Sequence, residues 1–143
     1  MNAGPGGGTV LAFDFGERFI GVAVGELETR LASPLETIDA QTREARLARI
    51  AVLAAEWMPV RLVVGLPLSP EGVEHAMTAR ARRFARQLEA HFRLPVEMAD
   101  ERFSSSAAEE HLRASGRGGR KHKSLAHPIA AQIILQAYFE EHA

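Results

Sequence analysis

The sequence predicts an α/β domain: a mixed five-stranded sheet, three antiparallel strands followed by parallel ones, flanked by helices. Three observations carry that prediction. Strand-like runs over 9–38 are separated by only a few residues, which favours hairpins. Beyond them, apolar runs alternate with helix-periodic stretches, the arrangement of a parallel sheet with helices on its faces. The run VRLVVGLP, 60–67, is mostly apolar, as a strand covered on both faces must be.

Each element has its own reason. TVLAFD, 9–14, reads as a buried strand ending in an acid. Gly16 permits a turn into FIGVAVG, 19–25, and the stretch from Glu26 to Glu28 turns into a third strand over roughly 30–38. Over 42–57, Leu47, Ile50, Leu53, Ala54 and Trp57 recur at helical spacing, with Thr42 placed to cap the helix. Gly65 and Pro67 close the fourth strand, 60–67. A second helix is expected over 71–92, with Met77, Ala81, Phe84, Leu88 and Phe92 on one stripe and Arg80, Arg82, Arg83 and Arg86 largely off it. LPVEMADE, 94–101, reads as the fifth strand. A short helix, 105–114, follows a run of capping serines. GRGGRKHKS, 116–124, reads as a flexible basic loop. The last helix, 126–141, tolerates Pro128 in its first turn and is apolar on nearly every side, so it should be mostly buried.

Bulk properties bound the function. The chain has 143 residues, 46% of them hydrophobic, enough for one compact domain with its own core. The Gly-rich residues 1–8 are expected to be a disordered tail, and 9–141 a single domain. GPGGG lacks the Gly-Lys-Ser/Thr ending of a phosphate loop. With no cysteine there are no disulfides and no thiolate metal sites. No apolar run of about 18 residues suggests a membrane span, and the N-terminus lacks a signal-peptide pattern, so a cytoplasmic location without membrane contact is expected. A net charge of −1 gives no global attraction to nucleic acid. Fifteen of the 17 basic residues are Arg, and the only lysines, Lys121 and Lys123, share one loop.

The acids fall at telling places. Asp14 ends the first strand, and Asp100 and Glu101 end the last. Ligands of open α/β sheets bind beyond the carboxyl ends of the strands. If the first and fifth strands run parallel and lie near each other, an acid from each can meet there. Converging carboxylates repel unless a cation sits between them, and hard oxygen donors suit Mg²⁺ or Mn²⁺. Two such ions can clamp the attacking and leaving oxygens of a phosphodiester. From spacing alone the commoner reading of such acids is as turn formers or helix caps. Asp100 and Glu101 are adjacent, so they point to opposite faces and only one can join Asp14.

The stretches LAFDFGERFIGVAVG, VVGLPLSPEG, TARARRFARQL and DERFSS, in this order, resemble the YqgF/RuvX family over residues 9–141. These are bacterial proteins similar to Holliday-junction resolvases and assigned as nucleases of pre-16S rRNA. The resemblance implies an RNase H-like fold. It implies that Asp14 is the first metal-binding acid, that Glu101 is the second, and that Gly65 and Pro67 shape the rim beside the site. It makes Arg102 a phosphate partner or the partner of a nearby acid. One position departs: members usually carry an Asp at the start of the last helix, where this chain has His127. Neutral imidazole binds Mn²⁺ or Zn²⁺ but is a poor Mg²⁺ ligand. His127 is thus a catalytic and metal-binding substitute, a spectator beside two working acids, or the mark of a weakened site.

The loop RASGRGGRKHK, 113–123, places Arg113, Arg117, Arg120, Lys121 and Lys123 just ahead of His127. Such loops grip phosphate backbones independently of sequence, though a solvated basic loop has the same composition. Aromatic residues are scarce there, so stacking on splayed bases has no support. Three functions follow in order: a metal-dependent endonuclease maturing the 5′ end of pre-16S rRNA, a resolvase of four-way DNA, and an impaired nucleic-acid-binding protein acting in RNA maturation or transcription. Precursor rRNA is the favoured partner and branched DNA the rival. The chain is expected to be a monomer or weak dimer.

Overall fold

The computed structural model describes residues 7–100 and 126–142. Its elements are β1 (Thr9–Asp14), β2 (Phe19–Glu26), β3 (Leu31–Asp39), α1 (Arg43–Trp57), β4 (Arg61–Leu66), α2 (Ala76–Phe92), β5 (Val96–Asp100) and α3 (Ala126–Glu141). The strands form one sheet in the order β3-β2-β1-β4-β5. The first three strands pair antiparallel, and β4 and β5 add in parallel on the other side of β1. The mixed sheet expected from the sequence is therefore present. The expected helix at 105–114 and the basic loop at 116–124 lie outside the described residues.

Side-chain alternation divides the core between the two faces. Leu11, Phe13, Ile20, Val22, Leu62 and Val64 face α1 and α2, meeting Ile50, Leu53, Phe84 and Leu88. Val10, Ala12, Ala23, Ala32, Val63 and Ala99 face α3, meeting Ala131, Ile134, Leu135, Tyr138 and Phe139. α3 buries eight residues, in keeping with its apolar character on nearly every side.

α1 starts where its cap predicts, because Thr42 Oγ1 accepts a hydrogen bond from the Ala45 amide at 3.1 Å. α2 starts at Ala76, five residues later than expected. The intervening stretch holds Pro70 and a left-handed Gly72 at φ 84°, in a turn closed by hydrogen bonds between Ser69 and Val73. That turn chemistry overrides the helical spacing.

α3 is fastened along its length. Gln132 donates to the Ala32 carbonyl at 3.0 Å. Gln136 accepts from the Ala32 amide at 3.1 Å and donates to the Arg30 carbonyl at 2.9 Å. The edge strand β3 thus has its outward polar groups at Ala32 covered by helix side chains, one way of closing a sheet edge. Near the other end of the helix, the Tyr138 hydroxyl accepts from Arg61 at 2.7 Å and donates to Glu97 at 2.9 Å. Burial, ahead of these partners, pushes the Tyr138 hydroxyl up from its ordinary value.

Candidate functional site

The carboxyl end of β1 brings the predicted acid into a row of small residues. Asp14 shares its face with Val10 and Ala12, the face covered by α3. It pairs with Gly21 on β2. On the other side, Phe13 pairs with Val64, and the next residue of β4, Gly65, pairs with Ala99 of β5. Gly21, Asp14, Gly65 and Ala99 therefore stand in one row across four strands. Asp14 has the only side chain in that row larger than a methyl group, and it is half-buried.

α3 roofs this row by backbone contact. A Cβ built on Gly21 would lie 2.0 Å from the His127 carbonyl oxygen and 3.1 Å from its Cα. Only glycine admits so close an approach, and glycine inside a strand often marks such a contact. The His127 main chain is thereby set over the residue paired with Asp14. Its ring stacks on Phe19, with centroids 5.1 Å apart and planes 29° from parallel. Phe19 and Gly21 share a face of β2. Burial lowers the His127 pKa from its ordinary value of 6.5, which keeps the ring neutral at neutral pH.

The acids of β5 sort as the alternation requires. β5 runs parallel to β1 but with β4 between them, a separation of roughly 10 Å at ordinary strand spacing. Ala99 faces α3. Asp100, one residue on, shares the opposite face with Val96 and Met98, which pack toward α1 and α2. Asp100 is therefore on the wrong face to meet Asp14. Glu101, Arg102, Arg113, Arg117, Arg120, Lys121 and Lys123 lie outside the described residues.

The rim expected at Gly65 and Pro67 is tied to α2 by a residue the sequence reading passed over. Thr78 is fully buried. Its hydroxyl donates to the Pro67 carbonyl and accepts from the His75 amide, the latter at 3.1 Å. One side chain thus caps α2 and fixes the chain leaving β4. A threonine three residues into a helix, after Pro and Gly, is the available signal for it.

The donor chemistry fits a hard divalent cation in part. Among the described residues, Asp14 contributes carboxylate oxygens and His127 comes to the same face and the same strand end. Also among them, no three His, Cys, Asp or Glu side chains converge as a metal-binding group. No described helix is long and apolar enough to cross a membrane.

Comparison with known proteins agrees with this architecture. Residues 8–141 match the family model described as RuvX: Holliday junction resolvase. A protein of Methylobacillus flagellatus named "Putative pre-16S rRNA nuclease" is 54% identical over 133 residues, covering 93% of this chain and 91% of its own. A protein of Nitrosomonas europaea with the same name is 52% identical, covering 93% of this chain and 90% of its own. Among solved structures, Thermus thermophilus RuvC in complex with a Holliday junction substrate aligns with a TM-score of 0.56 at 20% identity, over 94% of each chain. That likeness supports the RNase H-like fold. The chain therefore belongs to the RuvX family, a family of phosphodiester-hydrolysing nucleases.

Proposed function

We propose that this chain is a divalent-metal-dependent endonuclease that matures the 5′ end of pre-16S rRNA in the cytoplasm, with 9–141 as its nuclease domain. The observation that carries the reading is Asp14: one half-buried carboxylate at the end of the central strand, in a row of glycine and alanine, beneath a helix start. No other side chain of that row is larger than a methyl group. The names of the relatives supply the rRNA substrate.

In this reading Asp14 and Glu101 hold the metal, Mg²⁺ or Mn²⁺. With Asp100 turned to the other face, period-two alternation favours its neighbour as the second acid. The bound ion would activate water and stabilise charge on the leaving oxygen. His127, kept neutral by burial, offers a nitrogen lone pair to a proton or to the metal. Arg102, Arg113, Arg117, Arg120, Lys121 and Lys123 hold the phosphate backbone, and Gly65 and Pro67 form the rim. The family description favours four-way DNA as the alternative substrate.

Cleavage of a precursor 16S rRNA 5′ end, with a four-way DNA junction alongside, tests this. Each is incubated with Mg²⁺ and with Mn²⁺. The expected result is RNA cutting by the wild type that disappears in Asp14→Asn. Cutting of the junction alone would assign the DNA substrate. Loss-free cutting by Asp14→Asn would refute the site. Cutting only after His127→Asp would show that the natural protein binds without cleaving.

A further inference from the structure

The face of the sheet away from α3 carries a basic trough that the proposed site does not use. Its walls are arginine stripes on two helices: Arg43 and Arg46 of α1, three apart, and Arg80 and Arg83 of α2, also three apart. Its floor is apolar, with Phe15 and Phe84 in tilted contact at 4.9 Å. The first hollow holds about 340 Å³. A second, of about 410 Å³, shares Arg43, Leu47, Arg83 and Gln87 with it and extends past Arg86 to His91. The two make one elongated, open channel between the helices.

The arginines are of two kinds. Arg46 is tethered: it donates to the Ala40 carbonyl at 2.8 Å and to the Glu17 carbonyl, and its guanidinium lies 5.4 Å from the centre of the Phe15 ring. Arg80 is paired with the Glu17 carboxylate, the only acid lining the channel among the described residues. Arg43, Arg83 and Arg86 have no hydrogen-bonding or ionic partner among the described residues. Cations gathered in one channel with their only acid already engaged repel one another, and a bound anion relieves that repulsion. Guanidinium groups suit phosphate in particular. Phe15 and Glu17, which line the first hollow and not the second, follow Asp14 by one and three residues.

We infer that this trough binds the sugar-phosphate backbone of a single-stranded stretch of the nucleic acid substrate, flanking the segment presented to Asp14. A strand leaving the carboxyl end of β1 would turn over the 15–18 connection and enter the channel. An elongated open channel with cations spaced along it fits successive phosphates better than one compact ligand. The inference rests on the nuclease reading only in naming a polynucleotide as the occupant, and its test needs no cleavage.

Binding of a labelled single-stranded oligoribonucleotide is measured by fluorescence anisotropy in EDTA, over a salt series. The proteins are the full-length wild type, Arg43→Gln/Arg83→Gln, and a charge-matched control, Arg49→Gln/Arg82→Gln. The control positions are exposed and already paired, with Glu36 and Glu74. Two lost phosphate contacts should weaken binding roughly tenfold and reduce the slope of log affinity against log salt by about 1.4. The control should move neither. Equal losses in both double variants would overturn the inference, since net charge would then explain them. So would adenosine monophosphate binding the wild type as tightly as the oligonucleotide, which would make the channel a nucleotide pocket. Unchanged binding in Arg43→Gln/Arg83→Gln, with matching thermal unfolding, would also overturn it. Binding in EDTA is read without any cleavage, so loss of cleavage and loss of trough binding are separately visible.

Discussion

The two faces of the sheet are built to different rules. Toward α3 the strands present Val10, Ala12, Gly21, Ala23, Gly25, Val63 and Ala99, and the helix descends until main chain meets main chain. Toward α1 and α2 they present Leu11, Phe13, Ile20, Val22, Leu62 and Val64, and large side chains keep the helices at a distance. On the first face the start of α3 is set by backbone contact, and Asp14 and His127 are found there. On the second, packing supports the sheet, and a charged channel lies open between the two helices. Tolerance to substitution should differ accordingly.

The sharpest way to break this comparison is Gly21→Ala. The added methyl would collide with the His127 carbonyl carbon and oxygen, so the helix start or the strand must move. A loss of about 3 kcal/mol is expected in urea unfolding, together with loss of cleavage. A neutral result would show that α3 is not set by its backbone. On the other face, Thr78→Val keeps the shape but leaves the Pro67 carbonyl and the His75 amide without that hydroxyl. About 2 kcal/mol should be lost, with cleavage reduced through the rim. Gln136→Ala uncovers the edge of β3 at Ala32 and should cost about 1 kcal/mol. It should also raise self-association, read by light scattering, because an exposed edge pairs readily.

Arg43→Gln should change stability by less than about 0.5 kcal/mol, the ordinary figure for a surface position. The contrast with Gly21→Ala is the quantitative form of the difference between the faces.

The smallest expected effect concerns pH. Burial depresses the His127 pKa below 6.5, so the folded state disfavours the charged ring. Its contribution to stability is fully present above the unfolded value and is lost as pH falls through the lower folded value. Between pH 7.5 and 5 the denaturation midpoint of metal-free wild type should therefore fall more steeply than that of His127→Gln. Parallel curves would show that the ring is not desolvated.

Much of the architecture was legible because local signals agreed with one another. Short links gave the β1–β2–β3 meander, Thr42 gave the start of α1, and the all-round apolarity of α3 gave its burial. That only one of two adjacent acids can join Asp14 follows from the two-residue period of a strand, and Asp100 does face away from Asp14. Other features had no local signature. That β4 intervenes between β1 and β5 is a matter of sheet order, invisible in any one strand. The contact of Phe19 with His127 joins residues more than a hundred positions apart. The stripes Arg43–Arg46 and Arg80–Arg83 can be read on each helix, but only the fold turns them toward one channel. Thr78 has no clear local signature because the helical pattern over 71–92 masks the turn at Pro70 and Gly72.

The glycine beneath His127 frees the side chain above it. Because α3 is seated by main-chain atoms, the side chain at 127 is spared the task of positioning the helix. Position 127 behaves as a socket: the fitting can be exchanged while the mount stays fixed. Exchanging the imidazole for a carboxylate there should leave the seat of α3 in place.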